Sequence, residues 1–215
     1  IFTAYNKSNN EIKVNATITK SDWLRKFFNI PLKLNGPLHL SAEINDVKKH
    51  FRMLCKTNGF IYNESPYENV FISADTPDDT LKLEGRINKV MTNGHKLSLT
   101  FNTSAIADKL STIVNWHNHQ EKPFVGSLNA DTKFIMNAKG KPDVNIEINP
   151  SDILINDTVW HIKPANITYS NGNLTVDHFS VEHNKQHIKV YGMATKSLSD
   201  SIIVDMQDVD VNLSL

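Results

Sequence analysis

Histidine has the most conspicuous chemical potential in this sequence, since nine of the 215 residues are histidines. His117 and His119 flank Asn118, so on a β-strand both rings project from one face, a spacing that suits two ligands of one metal ion. Neither a carboxylate nor a cysteine stands at a spacing that completes a set of three or four ligands. The sequence therefore predicts neither a metal site nor a cofactor.

Residue combinations typical of enzymes are equally scarce. The sequence has no Gly-x-Ser-x-Gly turn and no glycine-rich phosphate loop, and its single cysteine, Cys55, has only His50 near it. The pair Asp78-Asp79 follows Pro77, where a solvated turn explains both carboxylates. We therefore expect no catalytic residues and a protein that is not an enzyme.

The composition is that of a folded protein without a dominant charge. Hydrophobic residues make up 40% of the chain, and 23 basic and 23 acidic residues give a formal net charge of zero. Such a balance creates no strong field for nucleic acid or an anionic membrane. One cysteine cannot form an internal disulfide, and no run approaches the roughly 18 apolar residues of a membrane-spanning helix. Because the sequence begins without Met and ends inside an alternating pattern, we expect a fragment of a longer protein, with any anchor or signal outside it.

Apolar and polar residues alternate along most of the chain, which is the period of a β-strand with one buried face. The alternation is clear over residues 38–44 and recurs at short intervals through the second half. Asn93-Gly94 and Asn171-Gly172 supply the positive backbone torsions that tight hairpin turns require. The pattern therefore predicts many short antiparallel strands.

The alternation is interrupted in a few places. Residues 21–28 have helical spacing behind a capping serine, which predicts a short helix lying over the end of a sheet. Residues 46–57 and 104–115 also permit a helix on local spacing alone. The pattern slips by one residue at 177–178 and at 207–208, which predicts two β-bulges that bend the sheet.

Two architectures fit so many one-sided strands. Two sheets can close on each other as a sandwich that buries every apolar face, or one long sheet can curl into an open trough. A trough leaves far more apolar surface uncovered than soluble proteins usually do, and such surface normally has a ligand or partner. Trp116 and Trp160 can stack on sugars, although strand tryptophans more often serve packing. A structural or carbohydrate-binding β-sandwich is therefore the alternative to a trough.

Six segments of the sequence carry a resemblance to a known family. Three lie in the second half, at residues 148–167 (INPSDILINDTVWHIKPANI), 173–183 (NLTVDHFSVEH) and 187–192 (HIKVYG). The others lie upstream, at residues 21–28 (SDWLRKFF), 32–40 (LKLNGPLHL) and 110–118 (LSTIVNWHN). They resemble the central region of TamB proteins, which belong to the AsmA-like family of envelope proteins in Gram-negative bacteria. With this resemblance, the β-sandwich alternative is likewise a domain of a cell-envelope protein.

The resemblance implies an all-β fold, an elongated curved antiparallel-rich sheet that forms a U-shaped groove, or β-taco, with one or two short helices. It also assigns residues 46–57 and 104–115 to strands, against their local helical spacing. Residues 1–215 are then a single elongated fragment, and the loop at 138–142 (AKGKP) is a plausible seam within it.

The function that the resemblance implies is phospholipid transport between the inner and outer membranes and outer-membrane biogenesis. The full-length protein is then a bridge that spans the periplasm and is anchored in the inner membrane, and its outer-membrane barrel partner binds through regions missing here. Lipid acyl chains are the expected ligand. End strands without a neighbour predict end-to-end association of the fragment.

The expected groove lining consists of inward-facing strand positions. An even aliphatic surface gains about 0.8 kcal/mol for each methylene that it shields from water, at every point along the groove, so a lipid tail can slide along it. The predicted lipid-binding residues are Leu81, Leu83, Leu97, Leu99, Phe101, Ile146, Ile148, Ile153, Ile155, Trp160, Ile162, Ile167, Tyr169, Ile188 and Val190.

Overall fold

A computed structural model describes residues 2–7, 11–138, 140–197 and 199–209 of the chain. The chain divides into two compact units, residues 1–104 and 105–215. The first unit begins with two strands and a short helix and continues with six further strands, the last of which ends just past the boundary. Its elements are β1 (Phe2–Lys7), β2 (Glu11–Ile18), α1 (Asp22–Phe28), β3 (Leu32–Leu34), β4 (Leu38–Asn45), β5 (His50–Tyr62), β6 (Ser65–Asp75), β7 (Leu81–Val90) and β8 (Lys96–Ile106).

The described part of the second unit is built from strands alone. They are β9 (Lys109–His117), β10 (Phe124–Met136), β11 (Pro142–Asn149), β12 (Ser151–Ile155), β13 (Thr158–Ile162), β14 (Ala165–Ser170), β15 (Asn173–His183), β16 (Gln186–Ala194) and β17 (Ile202–Gln207). The predicted seam at 138–142 follows β10 and reaches the first residue of β11, and its residue Lys139 lies outside the described part of the chain. Beside it the Asn137 N–H donates to the Lys141 carbonyl at 2.9 Å. The prediction of a single fragment with a seam there stays a prediction.

The predicted fold class, an all-β fold rich in antiparallel strands with one or two short helices, is confirmed. Residues 46–57 and 104–115, which have helical spacing, lie mainly in β5, β8 and β9, as the family resemblance implied. The predicted helix is α1, and the buried Ser21 hydroxyl in front of it accepts the backbone N–H of Leu34 at 3.0 Å. No described helix has the length and apolar character that crossing a membrane requires.

The strand pairs within each unit are antiparallel and join strands that are close along the chain. In the first unit β4 lies between β2 and β5, β6 lies between β5 and β7, and the short β3 pairs with one end of β5. In the second unit β10 pairs with β9 and with both β11 and β12, which pair in turn with β14 and β13. Strands β15, β16 and β17 then follow as a meander.

A line of backbone interruptions crosses the sheet of the second unit. Pro150 separates β11 from β12 and Pro164 separates β13 from β14, because proline has no N–H to donate to a strand neighbour. His178 has a positive φ of 51° inside the register shift between Val176 and Phe179, so the predicted bulge at 177–178 is confirmed. These interruptions lie on adjacent strands, and a bulge increases the local bend of its strand. The sheet of this unit therefore curves along one line.

The second predicted bulge, at Gln207-Asp208, stays a prediction. The register between β16 and β17 continues without a shift from Ile202 to Gln207, which is the last residue of the strand. Asp208 has a φ of 52°, close to the value of His178 in the confirmed bulge. Residues 210–215, over which strand pairing would have to resume, lie outside the described part of the chain.

The two faces of the first unit differ sharply in character. One row of register partners crosses five strands with apolar side chains only, Val14, Ala42, Met53, Ala74 and Leu83. The adjacent row on the opposite face alternates in charge, Lys13, Glu43, Arg52, Asp75 and Lys82. Since a slip of one residue would exchange the two faces, the charge row and the apolar row specify the same register.

The charge row is held by ion pairs with favourable distances. Lys13 Nζ lies 3.4 Å from Glu43 Oε2, and Arg52 Nη2 lies 3.0 Å from Asp75 Oδ2. Burial acts to raise the pKa of Asp75, but hydrogen bonds from Arg52 and His50 outweigh it, so the pKa lies below its usual value. Asp75 therefore stabilises the fold at neutral pH, and this contribution is lost as the pH falls through the lowered pKa.

Reversing one charge in this row should weaken the first unit. Arg52→Glu places like charges beside Glu43 and Asp75, and we expect the free energy of unfolding to fall by about 1 kcal/mol. Urea unfolding at low and high salt measures the effect, which should shrink at high salt because Arg52 is exposed to solvent. Arg52→Gln is the control and should cost less; equal losses for both variants would argue against an electrostatic role.

Candidate functional site

The apolar face of the first unit is only partly shielded from solvent. Phe51, Met53 and Cys55 lie on β5, which has strand neighbours on both sides, yet all three are half-buried. Leu40 and Ile72, the register partners of Cys55, are half-buried as well. A second layer packed on this face, as in a sandwich, would bury residues at the centre of the sheet. The face is therefore an apolar surface with solvent access.

The sequence-predicted residues of this unit lie on β7 and β8. Leu83 is the register partner of the buried Ala74 and continues the apolar row, and Leu81 alternates with it along the same strand. The positions on β8, Leu97, Leu99 and Phe101, share one face by the two-residue period of a strand. All five of these predicted residues are half-buried.

An aromatic ring lies directly on a glycine at this surface. A Cβ added to Gly85 would stand 2.2 Å from Cε1 of Phe101, so the ring occupies the space where a side chain would be. Gly85 pairs with Ile72, which places the ring next to the half-buried aliphatic side chains of β6. Phe101 thus extends the apolar surface across a position that has no side chain of its own.

The second unit gathers most of its predicted residues into one cluster. Five buried members form its centre and are 3–8% exposed: Ile148, Ile153, Trp160, Ile162 and Ala165. Ile146, Ile155 and Ile167 pack against them and are half-buried. The buried members stabilise the sheet and offer little surface to a ligand, whereas the half-buried ones combine packing with solvent access.

The remaining predicted residues lie on the same face, farther along the sheet. Ile188 pairs with Val181, and Val190 pairs with Phe179, on strands next to the cluster. Tyr169 pairs with Val144 and Leu174 at the other end of β14 and is 47% exposed. The structure therefore places all ten predicted residues of this unit on one face, with a buried centre and partly exposed flanks.

Sequence reasoning missed several residues of these faces. In the first unit they are Leu40, Met53, Cys55 and Ile72, of which Met53 and Cys55 were hidden by the helical spacing of residues 46–57. In the second unit Trp116, Phe124 and Val181 pack against the cluster. Alternation on β5 was the signal that could have found Met53 and Cys55.

Trp116 is held flat against a second glycine. A Cβ added to Gly126 would stand 2.3 Å from Cζ2 of Trp116, and the ring of Phe124 lies 5.8 Å away. The indole Nε1 is buried and has no hydrogen-bond partner among the residues that the structure describes. Trp160, the other tryptophan of this unit, is only 8% exposed, so its ring is packed and does not form a platform for a sugar.

The apolar faces carry little titratable chemistry. Cys55 is the only ionisable side chain in its register row from Ala16 to Gly85, and burial raises the pKa of its thiol. His117 Nδ1 accepts the backbone N–H of His119 at 2.8 Å, and the two rings lie 4.2 Å apart. Over the described ranges no group of three or more His, Cys, Asp or Glu residues is arranged to hold a metal ion.

Comparisons with protein-family models, with curated proteins and with solved structures give no match for this chain. The resemblance to the AsmA-like family therefore stays a prediction. The two apolar faces differ in how much surface they offer. The face of the first unit is half-buried even on its central strands, whereas that of the second unit has a buried centre and partly exposed flanks. Both are lined by aliphatic and aromatic side chains.

Proposed function

We propose that the apolar faces bind phospholipid acyl chains, as a segment of a bridge-like protein that transports phospholipid between the inner and outer membranes and serves outer-membrane biogenesis. The single observation that supports this most is the half-buried state of Met53, Cys55 and Ile72 at the centre of a sheet. Contiguous apolar surface that is open to solvent normally has a ligand or partner. A lipid tail matches it because it is apolar along its whole length.

The lining also suits movement of a lipid along the face. Along the row from Val14 to Leu83 every side chain is apolar, so a lipid tail meets similar surface on each of five strands. Each methylene removed from water contributes about 0.8 kcal/mol wherever it lies on such a surface. The head group stays in solvent, and no polar cluster along the row fixes it at one position.

The proposal includes a cellular location, an anchor and a partner for the full-length protein. The chain works in the periplasm without catalysing a reaction, the full-length protein is anchored in the inner membrane, and contact with an outer-membrane barrel is made by other regions. The balanced total charge agrees with a ligand whose apolar part supplies the binding energy.

Cys55 provides a native reporter for the proposed ligand. It is the single cysteine of the sequence and lies between Leu40 and Ile72 on the apolar face. A short-chain phosphatidylcholine, kept below its micelle concentration, should slow the reaction of Cys55 with N-ethylmaleimide. At about ten times Kd the rate should fall about tenfold, because the free protein alone reacts. Stopped-flow or mass-spectrometric labelling rates measure this.

The control places the thiol on the opposite face of the same strand. Cys55→Ser combined with Lys56→Cys exposes a thiol beside Phe71, and its labelling rate should not change with lipid. Without lipid the Lys56→Cys thiol should react faster near pH 8, because burial raises the pKa of Cys55 and lowers its thiolate fraction. A Cys55 rate that is independent of lipid concentration would contradict the proposal.

A further inference from the structure

The helix α1 presents aromatic side chains to solvent instead of burying them. Trp23 is 40% exposed, Phe28 is 64% exposed and Phe27 is 78% exposed. The helix contacts β3, and over the described ranges of the first unit it has no other substantial element contact. Three large aromatic residues within one short helix form an unusual patch for a surface in contact with water.

The surroundings of this aromatic patch are basic. Between residues 20 and 33 the sequence has four basic residues, Lys20, Arg25, Lys26 and Lys33, and one acidic residue, Asp22. This segment therefore carries a net charge of +3 in a chain whose net charge is zero. The local excess of positive charge favours an anionic partner, which the total composition did not indicate.

A surface pocket lies beside the helix and brings the cations together. Its volume is about 630 Å³, and Arg25, Lys26 and Lys33 line it with the apolar side chains of Leu32 and Ile61. Asp22 and Glu64 also line the pocket, so it keeps a small positive excess. Cations beside apolar side chains match a molecule with a phosphate next to a hydrocarbon region.

The polar atom of the aromatic patch, the Trp23 indole N–H, is already hydrogen-bonded within the protein. The Trp23 Nε1–H donates to the Lys20 carbonyl at 3.0 Å, so the indole needs no hydrogen bond from solvent. The rings of Trp23 and Phe28 meet edge to face with centroids 6.1 Å apart. Removing this pair from water therefore leaves no polar atom of the indole unpaired.

We propose that α1 docks on the surface of an anionic phospholipid bilayer. Phe27 and Phe28 enter the boundary between head groups and acyl chains, Trp23 lies at head-group depth, and Arg25, Lys26 and Lys33 bind lipid phosphates. Charge complementarity and the mixture of aromatic and basic side chains favour this occupant over an uncharged apolar partner. The inference goes beyond acyl-chain binding on the sheet and does not depend on it, because none of its residues belongs to the apolar faces.

Vesicle binding tests the proposal directly. The protein is sedimented with vesicles of phosphatidylcholine alone or with about 30% phosphatidylglycerol, and binding should be at least tenfold tighter to the anionic vesicles. Arg25→Gln with Lys26→Gln should weaken anionic binding about 25-fold, since each cation near such a surface is worth about fivefold. Phe27→Ser with Phe28→Ser should weaken it at least tenfold through lost apolar insertion.

The control is an exposed apolar residue beside lysines elsewhere in the first unit. Val47 is 72% exposed and precedes Lys48 and Lys49, and Val47→Ser should leave vesicle binding unchanged. If the Phe27→Ser, Phe28→Ser double variant has a lower melting temperature than the wild type, the single variant Phe27→Ser replaces it in the binding measurement. Equal binding of the wild type, the phenylalanine variant and the glutamine variant would overturn the proposal. Self-association that the phenylalanine variant abolishes, without vesicle binding by the wild type, would also overturn it and assign the patch to a second copy.

Discussion

Replacing Trp160 with alanine should lower the free energy of unfolding by about 3–5 kcal/mol, the range seen for large aromatic residues removed from a packed core. Trp160 is 8% exposed and faces Ile153 across the β12–β13 pair, at the centre of the cluster of the second unit. The surrounding strands are fixed by backbone pairing and cannot collapse fully into the space left behind. Urea unfolding followed by far-ultraviolet circular dichroism measures the loss.

Tyr169→Ala is the matched control on the same face. Tyr169 was also predicted to line a groove, but it is 47% exposed, so its removal should cost no more than about 1 kcal/mol. A large difference between the two variants would separate a packing residue from a residue that offers surface to a ligand. Equal losses would mean that something covers Tyr169 in solution, and the account of this face as open would then be wrong.

Gly126→Ala should destabilise the second unit by about 2–3 kcal/mol, even though it adds one methyl group. The new Cβ would stand 2.3 Å from Cζ2 of Trp116, and Trp116 packs against the cluster and cannot move freely. Gly36→Ala in the first unit is the control, because its nearest neighbour, Asn58 Cβ, lies 3.9 Å away. That variant should change stability by less than about 0.5 kcal/mol.

A double-mutant cycle shows whether the ring is the cause. Trp116→Leu removes the indole from the space above Gly126, so Gly126→Ala should cost much less in that background than in the wild type. The interaction energy of the two positions is then clearly different from zero. Additive losses would mean that Gly126 is required for a backbone reason and that the close approach of Trp116 is incidental.

Much of the strand content follows from local sequence chemistry. Alternation along residues 38–44 and the turn at Asn171-Gly172 identify β4 and the β14–β15 hairpin, because a strand places successive side chains on opposite faces. The slip at 177–178 marks a real bulge for the same reason. The secondary structure of residues 46–57 is harder to predict from sequence, since their apolar spacing also fits a helix. Pairing of β5 with strands on both sides makes most of this segment a strand.

The depth of burial could not be predicted from the same pattern. Ile148 and Ile188 both occupy alternating apolar positions, yet Ile148 is 5% exposed and Ile188 is half-buried. The difference arises from which strands lie beside each residue and from where the sheet bends, and neither is a local property. Likewise, a glycine such as Gly126 gives no sign in the sequence that an aromatic ring from another strand will lie on it.

For the helix α1, the sequence predicts the element but not the exposure of its side chains. Its bounds were predicted well, but the spacing of Trp23, Phe27 and Phe28 led us to expect a helix lying over a sheet. These side chains are exposed, because α1 contacts the short β3 and leaves its aromatic residues facing solvent. Amphipathic spacing predicts that a helix has an apolar side, and it does not specify what that side meets.

Pairing between strands that are close along the chain has a consequence for how this protein reaches its native state. The β15–β16 pair closes over a turn between His183 and Gln186, and a loop this short costs little chain entropy to form. Hairpins of this kind can nucleate independently and add neighbours by zipping, which favours rapid folding for an all-β protein. Truncation at such a turn removes one lateral contact and leaves the other pairings in place, so the number of strands can change in evolution without redesign of those that remain.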